Sequence, residues 1–257
     1  MKAFSFLRHL WRAQSSYRLH SPFVFDFYRQ VLRGKASAVG AQIEALRREL
    51  ARSGKLLAFE DLGAGSSGSG GGMVQRRLGQ LARTSARRRA EGEFLHRLCR
   101  HYQPRTCLEL GTNLGISMLY QLSALHNSRF ISLEGAEPLL QLAREHARRF
   151  GLQPELVAGD FDHSLDQLDL HTLQPDYAFI DGNHRYEPTL RYFHRLLPAM
   201  ADGSIMVFDD IYWSAGMARA WKAICAHPQV SVSIDLFSLG VCFIRRKQAK
   251  QHFHFLL

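Results

Sequence analysis

The chain has 257 residues, of which 46% are hydrophobic and 11% aromatic, and it carries a formal net charge of +10. This composition is typical of a globular protein with a sizeable core. No apolar run reaches the roughly 18 residues that a membrane-spanning helix needs, so we predict no transmembrane segment.

Two further features predict a cytoplasmic protein. The first 20 residues are interrupted by arginines and a histidine, so they lack the apolar centre of a signal peptide. The four cysteines lie far apart without CxxC spacing, which favours reduced thiols over a disulfide framework or a zinc site.

The charge is unevenly distributed along the chain. Residues 1–105 contain 20 lysines and arginines against 7 acidic residues, whereas residues 106–257 contain 13 against 16. We therefore predict a basic N-terminal extension over residues 1–104 and a near-neutral domain over residues 105–257.

The extension has the pattern of helices interrupted by one loop. Ser21 and Pro22 are residue types of an N-cap and a first helical position, and Gly34 marks the end of that helix. The remaining predicted elements are a helix over about 37–52, a glycine-rich loop over 63–72 and a basic helix over about 84–102.

From residue 105 onward, short apolar runs alternate with amphipathic stretches, which is typical of βαβ units and a parallel sheet. The apolar runs cover 106–110, 129–134, 155–159, 176–181, 204–210, 232–237 and 240–245. Helices are predicted over about 115–126, 137–150, 187–199 and 214–226. The last two runs follow each other closely, so we expect them to pair antiparallel at the sheet edge.

Two glycine-containing turns compete for a cofactor-binding role. Such a turn needs a strand before it, a helix after it and an acid at the end of the next strand. CLELGTNLGIS (107–117) meets these conditions, because the next strand ends in Glu134, 25 residues after Glu109. FEDLGAGSSGSGGG (59–72) is followed by no second strand and no acid, so we interpret it as a surface connection, with a mobile lid as the alternative.

The spacing of the glycines in the turn at 107–117 also indicates the kind of cofactor. Glu109-x-Gly111-x-x-x-Gly115 is not the G-x-G-x-x-G pattern that seats a pyrophosphate at a helix N-terminus, which disfavours a nicotinamide oxidoreductase. An acid at the head of the turn suits a ligand with a positively charged amino group and no phosphate. S-adenosylmethionine is such a ligand.

Five segments, in this order, resemble class I S-adenosylmethionine-dependent methyltransferases: LELGTNLGIS, ISLEGAEP, AGDF, FIDGNHRYEPTL and GSIMVFDDIYW. The likeness is nearest to the metal-dependent catechol and sugar O-methyltransferases and covers about residues 105–245. HSPFVFDFY in the extension resembles a group of bacterial methyltransferases. The resemblance implies an α/β, Rossmann-like fold: a seven-stranded, mostly parallel sheet whose last strand is antiparallel, plus a helical N-terminal extension.

The same resemblance implies a set of cofactor-binding residues at the strand ends. The methionine end of S-adenosylmethionine would be surrounded by Glu109, Gly111, Asn113, Gly115 and Ser117. Glu134 would hold the ribose hydroxyls, and the adenine would be flanked by Gly159, Asp160 and Phe161. Phe161 is open to a second interpretation as a core aromatic.

Three carboxylates at strand ends form a candidate metal site. Asp181 is followed 28 residues later by Asp209 and Asp210, and ligands of open α/β sheets bind outside such strand ends. Oxygen ligands suit a hard cation such as Mg²⁺, and the metal-dependent O-methyltransferases carry their metal acids at equivalent positions. The alternative is that these acids only cap helices or form turns.

One position departs from the family pattern. The sugar-modifying relatives have an acid where this chain has Asn183, and an amide cannot accept a proton as a general base. Histidine suits that role, so we predict His184 as the base, together with Asp181 as a catalytic residue. There are two alternatives. His184 is only a surface residue, or the protein binds the cofactor but is catalytically impaired.

The basic extension leaves the choice of partner open. A cluster of arginines suits a phosphate-bearing partner or an anionic small molecule, but it is also typical of a solvated helix face: Arg76, Arg77, Arg83, Arg87, Arg88 and Arg89. The aromatic N-terminus, with Phe4 and Trp11, either packs on the core or lies on a membrane surface.

We therefore predict an S-adenosylmethionine-dependent methyltransferase that methylates an oxygen of a hydroxylated small molecule with the help of Mg²⁺. An RNA or other nucleic-acid methyltransferase is the alternative, although no Asn-Pro-Pro-Tyr or Asp-Pro-Pro-Tyr motif of base-amine methyltransferases is present. A homodimer is compatible with the sequence.

Overall fold

The structure is a computed structural model that describes residues 2–15, 19–61, 72–84 and 88–257, with side chains described from residue 6 onward and without that of Asp61. The predicted loop over 63–72, except Gly72, lies outside the described residues, as do Arg87 and the side chain of Phe4. No helix in the described part of the chain is long and apolar enough to cross a membrane.

The N-terminal extension contains the predicted helices and two strands that the sequence analysis did not predict. Its elements are α1 (Lys2–Arg12), α2 (Pro22–Phe27) with a π-helical turn (Tyr28–Leu32), α3 (Gly40–Arg52), β1 (Leu56–Asp61), β2 (Gly72–Arg77), α4 (Leu78–Thr84) and α5 (Arg89–Tyr102). Ser21 caps α2, since its hydroxyl accepts from the backbone N–H of Val24 at 3.5 Å.

The two strands of the extension form an antiparallel hairpin. Their register runs from Leu56 opposite Arg77 to Asp61 opposite Gly72, so the glycine-rich stretch connects them in the chain. The hairpin does not join the central sheet. Its two strands therefore flank the loop that the sequence analysis placed between two helices.

The second part of the chain alternates strands and helices as predicted. Its elements are β3 (Thr106–Leu110), α6 (Ile116–Leu122), β4 (Arg129–Glu134), α7 (Glu137–Arg149), β5 (Glu155–Ala158), α8 (Phe161–Gln167), α9 (Leu170–Leu173), β6 (Tyr177–Ile180), α10 (Tyr186–Leu196) with a 3₁₀ turn (Leu197–Ala199), β7 (Ile205–Asp209), α11 (Ala215–Ala226), β8 (Val232–Asp235), β9 (Leu239–Phe243) and β10 (Gln251–His254).

The central sheet has the strand order β10-β8-β9-β7-β6-β3-β4-β5 among the described residues. β9 lies between β7 and β8 and is antiparallel to both, whereas the other neighbouring pairs are parallel. The predicted α/β fold class is confirmed, with its antiparallel strand inside the sheet. An additional eighth strand, β10, extends the edge beside β8.

The hydrophobic core has a layer on each face of the sheet because side chains of successive strand residues point to opposite faces. Cys107 and Phe179 belong to one layer, and Leu108 and Ile180 belong to the other. The first layer includes apolar residues of α2, the π-helical turn and α5. A third cluster packs α3, the hairpin and α4 against α6 and α7. The core is therefore continuous across residues 104 and 105, and the domain boundary there stays a prediction.

Two buried charged side chains of α5 connect it to the preceding segment. The Arg97 guanidinium donates to the carbonyls of Val31 at 2.6 Å and Leu32 at 3.5 Å, at the end of the π-helical turn. The Glu93 carboxylate accepts from the backbone N–H of Ser37 at 2.7 Å. These side chains satisfy polar backbone groups that would otherwise be buried without partners.

We predict that Arg97→Met lowers the free energy of unfolding by about 1–3 kcal/mol, because it removes the donors to buried carbonyls of the π-helical turn. Chemical denaturation should show one transition, since the extension shares the core of the sheet. Arg100→Met, at an exposed position of the same helix, should change the free energy by less than about 0.5 kcal/mol. Equal effects of the two substitutions, or a separate transition of the extension, would contradict this account.

Candidate active site

A cavity of about 940 Å³ opens at the carboxyl ends of the parallel strands. Gly111 follows β3, Glu134 ends β4, Asp181 follows β6 and Asp209 ends β7, and all four line the cavity. The chain reverses its direction across the sheet between β3 and β6, and ligands of open α/β folds bind at such a switch point.

The turn after β3 needs glycine at position 111. Gly111 has a φ of +105°, and a Cβ built on it would lie 2.0 Å from the carbonyl oxygen of Asp181. The backbone N–H of Asp181 donates to Leu110 at 2.8 Å, so the turns after the two strands are in direct contact. A side chain at position 111 would force them apart.

Glu134 organises the same turn from the neighbouring strand. Its carboxylate accepts from the backbone N–H of Asn113 at 2.7 Å and from that of Ala136 at 3.0 Å. The side chain is half-buried, and Asn113 lines the cavity beside it. A carboxylate held in this way retains lone pairs that can accept hydrogen bonds from the hydroxyls of a ligand.

Glu109, by contrast, is fully buried behind the wall of the cavity. Its carboxylate accepts from the Ser117 hydroxyl at 2.9 Å, the Gln121 amide at 2.7 Å and the Ser132 hydroxyl at 2.6 Å. These bonds fix the start of α6 against β3 and β4. Glu109 and Ser117 do not line the cavity, so their predicted contact with the cofactor stays a prediction.

Of the residues predicted to flank the adenine, some line the cavity and one does not. Asp160 and Phe161 line the cavity, whereas Gly159 does not, and neither does Gly115 in the turn after β3. A Cβ on Gly182 would lie 2.4 Å from the Phe161 ring, so this ring covers the turn after β6. Phe161 also packs against a buried cluster, and both interpretations of it therefore remain compatible with its position.

A group of three potential metal ligands lies on the opposite side of the switch point. One ligand atom each of Asp181, His184 and Asp209 lies within 4.8 Å of the others. The His184 Nε2 is 3.8 Å from the nearer Asp181 oxygen, and Asp209 is buried. This donor set fits a divalent cation. Asp210 lines the cavity but does not belong to this group.

Asn183 and Asp210 share an unusual backbone conformation. Their φ values are +51° and +47°, in the left-handed region that asparagine and aspartate adopt more readily than most residues. Burial raises the pKa of the Tyr192 phenol, and the nearby Asn183 side chain opposes this rise. Asn183 thus has a local structural role in the turn after β6.

The sequence analysis missed one whole wall of the cavity. The extension contributes Arg47, Phe59, Glu60, Arg76, Leu81, Arg83, Thr84, Arg88 and Glu91, and the segments after β7 and β8 contribute Tyr212, Trp213, Phe237 and Ser238. Of the predicted arginine cluster, Arg76, Arg83 and Arg88 line the cavity. The clustering of arginines was a signal for a binding surface, but nothing in the sequence placed it opposite the strand ends.

Comparisons with known proteins agree with this geometry. Residues 108–211 match the family model described as "Methyltransferase domain". This stretch is similar to methyltransferase domains, and it contains the predicted site residues from Glu109 to Asp210. Together with the relatives described next, it confirms the predicted resemblance to class I S-adenosylmethionine-dependent methyltransferases.

A relative matched in sequence is named as an O-methyltransferase. The chain is 32% identical over 125 residues to a catechol O-methyltransferase of Niastella koreensis, a match that covers 47% of this chain and about half, 56%, of that relative.

Solved structures share the fold. An O-methyltransferase from Bacillus cereus in complex with SAH has a TM-score of 0.55 at 19% identity and covers 86% of this chain and 97% of its own. TomG from Streptomyces achromogenes, involved in tomaymycin synthesis and in complex with SAM, has a TM-score of 0.54 at 22% identity and covers 62% and 82%.

We predict that Gly111→Ala destabilises the methyltransferase domain by about 1–3 kcal/mol more than Gly203→Ala. Gly203 is the matched control, because its φ is +93° but a Cβ there would meet no atom within 4 Å. The difference between the two variants in chemical denaturation isolates the contact with Asp181. Equal destabilisation would mean that backbone conformation alone requires Gly111.

Proposed function

We propose that this protein transfers the methyl group of S-adenosylmethionine to an oxygen of a hydroxylated small molecule, with the assistance of a divalent metal ion. One observation carries the proposal: the Asp181–His184–Asp209 group and the Glu134-stabilised turn line the same cavity. Cofactor-binding residues and acceptor-activating residues therefore lie close enough to act on one reaction.

The residues of the first half of the sheet fit S-adenosylmethionine, which supplies an electrophilic methyl group when bound. Glu134 offers a carboxylate for the ribose hydroxyls, and Asp160 and Phe161 form the wall where the adenine would lie. Asn113 lies beside Glu134 in the turn at the methionine end. The carboxylates of the cavity also favour a cofactor that carries positive charge.

The residues of the second half fit a divalent cation, which would lower the pKa of an acceptor hydroxyl bound next to it. Asp181 and Asp209 are its proposed ligands, and Asp210, which lines the same cavity, is a third candidate. His184 then accepts the hydroxyl proton at Nε2, the atom that lies 3.8 Å from Asp181. If His184 binds the metal itself, the site favours a transition metal over Mg²⁺, because imidazole is a poor ligand for Mg²⁺.

The acceptor is proposed to be small and to carry an anionic group. The aromatic side chains of Tyr212, Trp213 and Phe237 suit a ring or another flat apolar body, and the arginines of the extension face the same space. A relative is named for catechol as acceptor. Catechols that carry a carboxylate or a phosphate are therefore the first compounds to assay.

We expect Glu134→Ala to weaken the binding of S-adenosylhomocysteine by roughly 10- to 100-fold, because a charged acceptor of hydrogen bonds is lost. Calorimetric titration measures this change. Glu137→Ala is the control, since Glu137 lies exposed at the first position of α7. This substitution should leave the affinity unchanged. Wild-type affinity in Glu134→Ala would exclude the proposed cofactor site.

We expect Asp209→Asn and chelation of metal to abolish methyl transfer to catechols while S-adenosylhomocysteine still binds. The asparagine keeps the size of the side chain but removes the charge that holds a cation. Radiolabelled methyl transfer with and without Mg²⁺ or Mn²⁺ measures the effect. Full activity in the presence of chelator would leave a metal-independent methyltransferase as the conclusion.

We expect His184→Gln to lower the rate of methyl transfer by roughly 10²- to 10⁴-fold without changing the affinity for S-adenosylhomocysteine, because the proton acceptor is lost. His171→Gln, on an exposed position of α9, should retain the wild-type rate. If metal titration shows that His184→Gln has lost a metal ligand, the residue acts through the metal. A wild-type rate in this variant would assign the base elsewhere.

A further inference from the structure

A second group of potential metal ligands lies at the β10 edge of the sheet. It joins His9 of α1, Asp235 at the end of β8 and His254 at the end of β10. One ligand atom of each residue lies within 4.8 Å of the others. His9 and Asp235 are 2% and 1% exposed, and His254 is half-buried, so the group is shielded from bulk water.

The hydrogen bond of His9 to the backbone determines which ring nitrogen carries hydrogen. The Nε2 atom lies 2.9 Å from the carbonyl oxygen of Phe255, and a carbonyl can only accept. Nε2 therefore carries the hydrogen, and a neutral ring presents the Nδ1 lone pair to the interior. That atom lies 3.2 Å from Asp235 Oδ1. A lone pair facing a buried carboxylate is repulsive unless a cation lies between them.

That cation is either a proton on Nδ1 or a metal ion. Burial opposes the proton, but the Asp235 carboxylate outweighs it and raises the pKa of His9, whereas the hydrogen-bond geometry favours the metal. The Nδ1 atoms of His9 and His254 lie 3.2 and 3.4 Å from the Asp235 oxygens, yet both are buried without a partner in hydrogen-bond geometry. A proton requires its acceptor to lie along the N–H direction. A metal ion would lie along the lone-pair direction of each Nδ1 atom, and the carboxylate oxygen would not have to lie on that line.

The spacing of the ligand atoms is also that of a coordination site. Two ligand atoms bound tetrahedrally at about 2.0–2.1 Å from Zn²⁺ lie about 3.3–3.4 Å apart. Each ring nitrogen lies at such a distance from a different oxygen of Asp235: His9 Nδ1 is 3.2 Å from Oδ1 and His254 Nδ1 is 3.4 Å from Oδ2. One ion bound to both rings would therefore be held by both carboxylate oxygens. The nearby His252 does not belong to the group, because its Nδ1 hydrogen-bonds the hydroxyl of Ser233 at 2.7 Å.

The groups around the ligands support them as outer partners do in metal sites. The Tyr212 hydroxyl donates to Asp235 Oδ2 at 2.6 Å, and the backbone N–H of Phe237 donates to Oδ1 at 2.9 Å. The His9 Nε2–H bond to Phe255 fixes the orientation of the imidazole. Metal-binding histidines and carboxylates commonly have such second hydrogen bonds.

We propose that His9, Asp235 and His254 form a structural site for Zn²⁺ or a similar transition-metal ion, separate from the group in the cavity. Two imidazole nitrogens and one carboxylate suit Zn²⁺ better than Mg²⁺ or Ca²⁺, and a water molecule would complete a tetrahedral arrangement. The metal would connect α1 to β8 and β10. Tyr212 and Phe237 line the cavity, so the site would also hold part of the cavity wall.

The test uses the full chain, stripped with chelator and titrated with Zn²⁺, and measures bound metal and thermal stability. Asp209→Asn is present in every protein, so that the cavity group does not contribute. We expect one equivalent of Zn²⁺ and a rise in Tm of about 5–10 °C in this background at 100-fold excess over the Kd. Adding His9→Asn or His254→Asn should abolish both, whereas adding His252→Asn should abolish neither.

One further variant distinguishes a metal site from a buried ion pair. His9→Lys keeps a positive charge near Asp235. If the group is an ion pair, the metal-free variant should be as stable as the metal-free parent protein. If the group is a metal site, the variant should no longer bind Zn²⁺. Far-ultraviolet circular dichroism checks that each variant is folded. Absence of Zn²⁺ binding in the folded Asp209→Asn background, or unchanged Zn²⁺ binding after His9→Asn and His254→Asn, would overturn the proposal.

Discussion

The site depends on the contact between Gly111 and Asp181. The turn after β3 passes so close to the turn after β6 that only glycine fits at position 111. A Cβ there would lie 2.0 Å from the Asp181 carbonyl oxygen. This contact brings the Asn113–Glu134 side of the cavity next to the Asp181–His184–Asp209 side. The reaction that we propose needs the cofactor and the acceptor to meet at this boundary, and a wider separation would prevent in-line transfer.

The acids around this contact have different tasks because their surroundings differ. Glu109 is fully buried and takes three hydrogen bonds from side chains, which compensates for the loss of water and fixes α6. Glu134, one strand away, is half-buried and accepts from backbone N–H groups while it still faces the cavity. A sequence pattern that pairs the two acids does not distinguish their roles, but burial does.

Much of the second part of the chain was predictable from local patterns. The helix predicted over 214–226 is α11, Ala215–Ala226, because Ser214 has a hydroxyl that caps it by accepting from Met217 at 3.0 Å. The strand β10 was missed, since Gln251–His254 is short and mostly polar, and it becomes a strand only because β8 offers it an edge. The hairpin of the extension was missed because glycine-rich sequence interrupts it.

Tertiary proximity explains what remained unpredictable about the site. The sequence grouped Asp181 with Asp209 and Asp210 as a metal site and named His184 as the base. The arginines of α4 and of the segment before α5 line the same cavity only because the extension packs on α6 and α7. The backbone does not explain the departure at Asn183. Its φ of +51° suits asparagine and aspartate alike, as the φ of +47° at Asp210 shows.

Hydrogen bonds and ring stacking connect the two ends of the cavity wall. Tyr212 follows the turn after β7, and its hydroxyl is bound to Asp235, which also holds the backbone of Phe237. The Tyr212 and Phe237 rings stack with centroids 5.2 Å apart, and His9 of α1 packs beside Phe237 at 5.7 Å. A change at Asp235 therefore reaches the acceptor side of the cavity through two aromatic rings. Because α1 belongs to the extension, the extension shapes the cavity from two sides: through the arginines near the hairpin and through the packing of α1 on this aromatic pair.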